Sequence, residues 1–173
     1  MTWRLPMANH VMCSLEIYGD EDQLQKFYKE NCGDDTHLDF HKATPPPKDG
    51  DDEYFWYIDI WGTKWNACEA EHEFYNIPDE DEQSARHYLR YSFYTAWDEP
   101  HGWFKLVAEK YPELEFTMSF EDEGWMHCGE HEASNGVVDY NKYEYGDPEF
   151  EERYKSFEGE EKWEQFVKEQ EGE

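Results

Sequence analysis

Residues 113–121, ELEFTMSFE, alternate without a break: Leu114, Phe116, Met118 and Phe120 fall on one side of an extended chain, and Glu113, Glu115, Thr117, Ser119 and Glu121 on the other. A period of two marks a strand buried on one face and wet on the other, so the chain must build a sheet with at least one covered face. Residues 11–18, VMCSLEIY, repeat the pattern, with Val11, Cys13, Leu15 and Ile17 opposite Met12, Ser14, Glu16 and Tyr18.

The cover for that sheet is readable too. In residues 19–35, GDEDQLQKFYKENCGDD, Leu24, Phe27 and Tyr28 stand at helical spacing behind an acidic first turn, and Gly33 closes the segment. In residues 101–111, Phe104, Val107, Ala108 and Tyr111 recur at i, i+3, i+4 and i+7, and Pro112 stops the run. TPPPKDGDDE at 44–53 is a loop, and YFWYIDIW at 54–61 and HYLRYSFYTAW at 87–97 are expected strands. The stretch between Cys68 and Arg86 reads as an acidic connection. The succession strand, helix, strand, strand, helix, strand predicts an α+β ferredoxin-like sandwich, an antiparallel sheet with helices on one face. Residues 124–145 form an added hairpin around Ser134-Asn135-Gly136. Phe150, Tyr154 and Phe157, then Trp163, Phe166 and Val167, predict one or two acidic helices, so the chain divides into a domain at 1–146 and a helical extension at 147–173. Trp61, Trp65 and Trp97 are expected to stack around a turn at Gly62.

Charge sets the next limit, because 43 acidic residues face 15 basic ones in 173, a formal net charge of −28. Such a balance normally accompanies disorder, but Phe, Trp and Tyr make up 18% of the chain and supply a core. The acids therefore belong on the surface of a folded domain. No stretch approaches the roughly 18 apolar residues of a membrane span. The start, MTWRLPMANHVMCSLEI, lacks the apolar centre of a secretory leader, so a bacterial cytoplasmic location is expected. Cys13, Cys32, Cys68 and Cys128 form no CxxC pair and suit reduced thiols.

Catalytic signatures are missing: there is no GxSxG, GxxxxGK[ST], GxGxxG or HExxH. His127, Cys128 and His131 in HCGEH, with Cys13, Cys68 and His72 as distant partners, raise the question of zinc, but successive strand residues point to opposite faces, which separates His127 from Cys128. The acidic runs around Glu121 and Glu123, and Asp79, Glu80, Asp81 and Glu82, lack the glycine and the bidentate glutamate of a calcium loop. The expectation is a protein that is no enzyme and carries no metal or other cofactor.

Four stretches, NHVMCSLEIYG, WGTKWNACE, YSFYTAWDEPHGWFKLVAEKYPELEF and EDEGWMHCGE, resemble the YubB ferredoxin-like family of plasmid and phage proteins over residues 9–131. The resemblance implies the fold and a mobile-element origin and supplies little else.

A fixed array of carboxylates has one use that matches such an origin. Duplex DNA presents one negative charge per roughly 1.7 Å of axis, and a protein surface of similar charge competes for the same basic groove. The expected function is a DNA mimic that occludes the basic groove of a host nucleic-acid-binding protein, a CRISPR effector or a restriction enzyme, with no direct contact to nucleic acid or membrane. The expected contact residues are Glu113, Glu115 and Glu121, the extension acids Glu149, Glu151, Glu152, Glu158, Glu160, Glu161 and Glu164, and the anchors Tyr140, Tyr143 and Tyr145. Monomer and homodimer both remain open. The alternatives are an interaction module acting through an aromatic patch and a metal-dependent enzyme. They differ in salt dependence, in competition by DNA and in metal content.

Overall fold

In a computed structural model, which describes residues 9–46, 53–77 and 86–172, six strands pair antiparallel. They are β1 (His10–Gly19), β2 (Cys68–Ile77), β3 (Arg86–Ala96), β4 (Glu115–Asp122), β5 (His127–Ser134) and β6 (Val137–Glu144), in the sheet order β2-β3-β1-β4-β5-β6. The first four strands, with α1 (Glu21–Asn31) between β1 and β2 and α4 (His101–Lys110) between β3 and β4, make the ferredoxin-like unit. The hairpin β5-β6 lengthens the sheet beyond β4. Its turn holds Asn135 and Gly136 at φ +53° and +75°, the left-handed pair a two-residue hairpin connection demands.

The period-two strands behave as their residues dictate. Val11, Cys13, Leu15 and Ile17 of β1 and Phe116, Met118 and Phe120 of β4 are buried, and β3 aligns Leu89, Tyr91 and Phe93 with them in register. Against this face pack Leu24 and Phe27 of α1 and Trp103, Phe104, Val107 and Ala108 of α4. The start of α1 is fixed by Gln23, whose side-chain oxygen accepts from the Asp20 N–H at 3.1 Å.

Two elements depart from the sequence reading. YFWYIDIW is not a strand: residues Glu53–Trp61 form α3, following the short α2 (Phe40–Ala43). Its aromatic, β-branched composition suits a strand, but Tyr57 and Trp61, four apart, stack at 4.5 Å on one helical face and seat the indole against Phe40. Tertiary burial of Trp61 overrides local preference. Gly62, at φ +82°, is thus the residue that ends a helix. The three tryptophans do not stack together: Trp61 is in the core, Trp65 lies on His10, and Trp97 lies under the Lys64 ammonium. The second departure is the acidic connection, most of which is the edge strand β2, with His72 and Phe74 packed on Tyr28 of α1.

The C-terminal helices α5 (Pro148–Glu158) and α6 (Glu160–Glu171) build a second core. Phe150 and Tyr154 are buried with Cys128 of β5, joined by Trp125, Tyr143, Trp163 and Phe166. Because Cys128 and Tyr143 point away from α4, these helices lie on the other face of the sheet and cover one corner of it. Residues 1–8, loop residues 47–52 and the run Asp79, Glu80, Asp81 and Glu82 lie outside the described residues. Cys13, Cys32, Cys68 and Cys128 form no disulfide. No helix among the described residues is long and apolar enough to cross a membrane.

Candidate partner-binding face

Strand alternation sends every second side chain to the sheet face opposite α1 and α4. Read across the register, that face carries Glu71 and Glu73 from β2, Glu16 from β1, Glu115 and Glu121 from β4, Glu130 and Glu132 from β5, and Asp139 from β6. Arg90 of β3 stands on this face between Glu16 and Glu73 in register. Neighbouring strands stand about 4.8 Å apart and same-face residues about 7 Å along a strand, so the carboxylates form a two-dimensional array. Shallow depressions run along it. One of about 520 Å³ is lined by Tyr18, Glu115, Thr117, Glu132 and Asp139. Another, of about 370 Å³, is lined by Met12, Ser14, Glu69, Glu71, Tyr94 and Glu121.

The residues expected at the contact surface divide among several places. Glu115 is exposed on the open face and Glu113 in the turn before β4. Glu121 points the same way but is partly buried, because α5 brings Arg153 to 3.5 Å from it. Burial pushes its carboxyl up, and the Arg153 guanidinium works against that shift. Glu149, Glu151, Glu152 and Glu158 ride on α5, and Glu160, Glu161 and Glu164 on α6, flanking the open face. Lys155 bridges Glu151 and Glu160 at 2.7 Å each, and Lys162 holds Glu158.

The tyrosines do not gather into one anchor. Tyr140 faces the α4 side, its ring 5.0 Å from that of His131. Tyr143 is half-buried beneath the C-terminal helices, and Tyr145 packs on Trp163 and Phe166.

Sequence reasoning missed Glu71 and Glu73 because it missed β2. The signal was present in the alternation of CEAEHEF, where Ala70, His72 and Phe74 are too weakly apolar to announce a strand. It also missed a cluster on the opposite face, in the connection from β3 to α4. Glu99 is buried there, with His131 Nε2 at 3.1 Å, Lys142 Nζ at 3.1 Å and His101 Nδ1 at 3.8 Å. Burial would raise Glu99, but the hydrogen bond from His131, together with Asp98 and Lys142, outweighs it and holds the carboxyl well down. Asp98 is pushed up to about 7 by burial and by the Glu99 carboxylate, against the pull of Lys142. Alternation does separate Cys128 from His127: the thiol lies in the second core, pushed up to about 11 by burial, and the imidazole faces Asp98.

Comparison with known proteins adds the family. The family described as ferredoxin-like domain in Api92-like protein matches residues 61–167. A crystal structure of a protein api92 from Yersinia pseudotuberculosis is similar at 13% identity with a TM-score of 0.45, over 63% of this chain and 40% of that one. The alignment therefore spans less than half of that relative. No curated protein matches the sequence.

Proposed function

The chain belongs to the family of ferredoxin-like domains in Api92-like proteins, and on that footing we propose that it is a non-catalytic inhibitor that occludes the basic nucleic-acid groove of a host defence protein. One observation carries the reading: the open sheet face is an array of carboxylates drawn from five strands, flanked by the acids of α5 and α6. A sheet face offers fixed positions, so the charges are held in place before any partner arrives. Opposite potentials then speed encounter and fix register more than they add affinity. The resemblance to the YubB proteins of plasmids and phages supports a target in the bacterial cytoplasm, such as a CRISPR effector or a restriction enzyme.

A second reading has its own observation. Beside the array, a depression of about 380 Å³ is lined by His10, Met12, Cys68, Glu69, Tyr94 and Glu123. Met12, Tyr94 and Trp97 are all exposed nearby. An interaction module would use this aromatic end and leave the carboxylates as a solvated coat.

Affinity capture from a bacterial lysate at low and moderate salt separates the two, with wild type beside a variant carrying Glu71→Gln, Glu73→Gln, Glu115→Gln and Glu132→Gln. Occlusion requires a partner that is lost with salt, displaced by duplex DNA and not captured by the neutralised variant. A partner that binds DNA and this protein together sinks the occlusion reading. A partner lost instead with Tyr94→Ala, and indifferent to the four glutamines, establishes the aromatic end.

A further inference from the structure

The cluster at the head of α4 has the composition of a cation site. Asp98, Glu99 and His101 bring one ligating atom each to within 4.8 Å of one another. Carboxylates near one another are common on so acidic a chain, and by themselves they signify nothing. An independent feature is His127, at the first position of β5. It is 7% exposed, and its Nε2 has no hydrogen-bond partner. That nitrogen stands 3.3 Å from Asp98 Oδ1 and 3.7 Å from Glu99 Oε2, and neither contact is a hydrogen bond. A buried ring nitrogen left without a partner is costly, and native structures tolerate it chiefly where a function or an ion accounts for it.

We infer that Asp98, Glu99, His101 and His127 form a divalent-cation site of the zinc class. Two imidazoles with two carboxylates suit zinc or cobalt, whereas calcium and magnesium prefer oxygen-only shells. His131 serves as the orienting partner. Its Nδ1 accepts the Asn141 N–H at 3.2 Å, so its Nε2 carries the proton and donates to Glu99 Oε1 at 3.1 Å. That bond fixes the Glu99 carboxylate with Oε2 turned toward His127, the arrangement by which outer groups aim metal ligands. His101 is positioned by a glycine: a Cβ on Gly62 would lie 2.3 Å from its ring, so the turn after α3 leaves the imidazole its place.

Lys142 is the competitor. Its Nζ is hydrogen-bonded to Asp98 Oδ1 and lies 3.1 Å from Glu99 Oε2, the two oxygens that His127 also faces. The ammonium balances the carboxylates in the metal-free protein. Its side chain is about a third exposed and projects from the edge strand β6, so it can swing into water when a dication arrives.

Competition by Lys142 fixes the sign of an unusual substitution. The full chain, stripped with chelator, is loaded with zinc or cobalt, passed through gel filtration, and read by elemental analysis and by the visible absorption of tetrahedral cobalt. Wild type should retain one equivalent. His127→Gln should weaken retention by about tenfold or more, and so should His101→Gln, whose side chain is exposed enough to leave folding intact. Lys142→Gln should bind more tightly than wild type, because it removes the competing cation. Failure of both wild type and Lys142→Gln to retain metal overturns the site, since the carboxylates then serve only as partners of Lys142. Retention unchanged by both histidine substitutions overturns it equally, since the acidic surface then holds the ion.

Discussion

Asp98 and Gly129 show what single residues contribute beyond their type. The raised Asp98 carboxyl means that the folded state binds its proton more firmly than the unfolded chain, whose aspartates titrate near about 4. The stabilising contribution of that proton is fully present below about 4 and is lost as pH rises through about 7. In the presence of chelator, wild type should therefore lose thermal midpoint across that window more steeply than Asp98→Asn, and the two should run parallel above pH 8; parallel profiles throughout would mean that the carboxyl is not perturbed. Gly129 is as telling, since a Cβ there would sit 2.1 Å from the Asn141 carbonyl oxygen and 2.7 Å from Phe120 Cζ. Gly129→Ala should destabilise the protein by about 3 kcal/mol in urea unfolding, with β5 and β6 forced apart. The role of Gly129 was not legible in HCGEH, where the glycine looks like a spacer. The constraint on it comes from the backbone of another strand.

Elements were legible in proportion to how much of their burial is periodic. β1, β4 and α4 each bury one clean face, and their residues announced it. α3 failed that test because YFWYIDIW is apolar nearly all round, so period could not tell helix from strand, and the decision rests on where Trp61 packs. β2 failed it because an edge strand needs only one modestly apolar face. The helical content of 147–173 was legible, but its docking was not, since Phe150 and Tyr154 say only that they need cover, not that Cys128 and Tyr143 of the sheet provide it. This docking makes a prediction at the same scale. Phe150→Ala should cost about 3–4 kcal/mol if α5 unfolds with the domain. Hydrogen exchange should show faster opening in α5 and α6 than in β1 and β4, because the second core is smaller than the first. Uniform protection across both would make the extension part of a single cooperative unit.

At the scale of the molecule, a chain of net charge −28 folds against its own repulsion, and the sheet concentrates part of that charge on one face. Composition revealed the total but not the arrangement, because the arrangement depends on β2, which composition hid, and on α5 leaving most of the face open. If the carboxylate array is there for a partner, the isolated protein bears its repulsion, and relieving it should stabilise the fold. The Debye length is about 10 Å at 0.1 M salt and about 3 Å at 1 M, so same-face neighbours about 7 Å apart interact strongly at low salt and weakly at high salt. Exchanging Glu71, Glu73, Glu115 and Glu132 for glutamine should therefore raise the thermal midpoint by several degrees in dilute buffer, and the gain should shrink as sodium chloride is added. The same exchange abolishes binding if the face is the contact surface, so one variant would be more stable and less active together. A variant that is less stable at every salt concentration would instead make these carboxylates structural, held by hydrogen bonds within the sheet, and would remove the main physical support for occlusion.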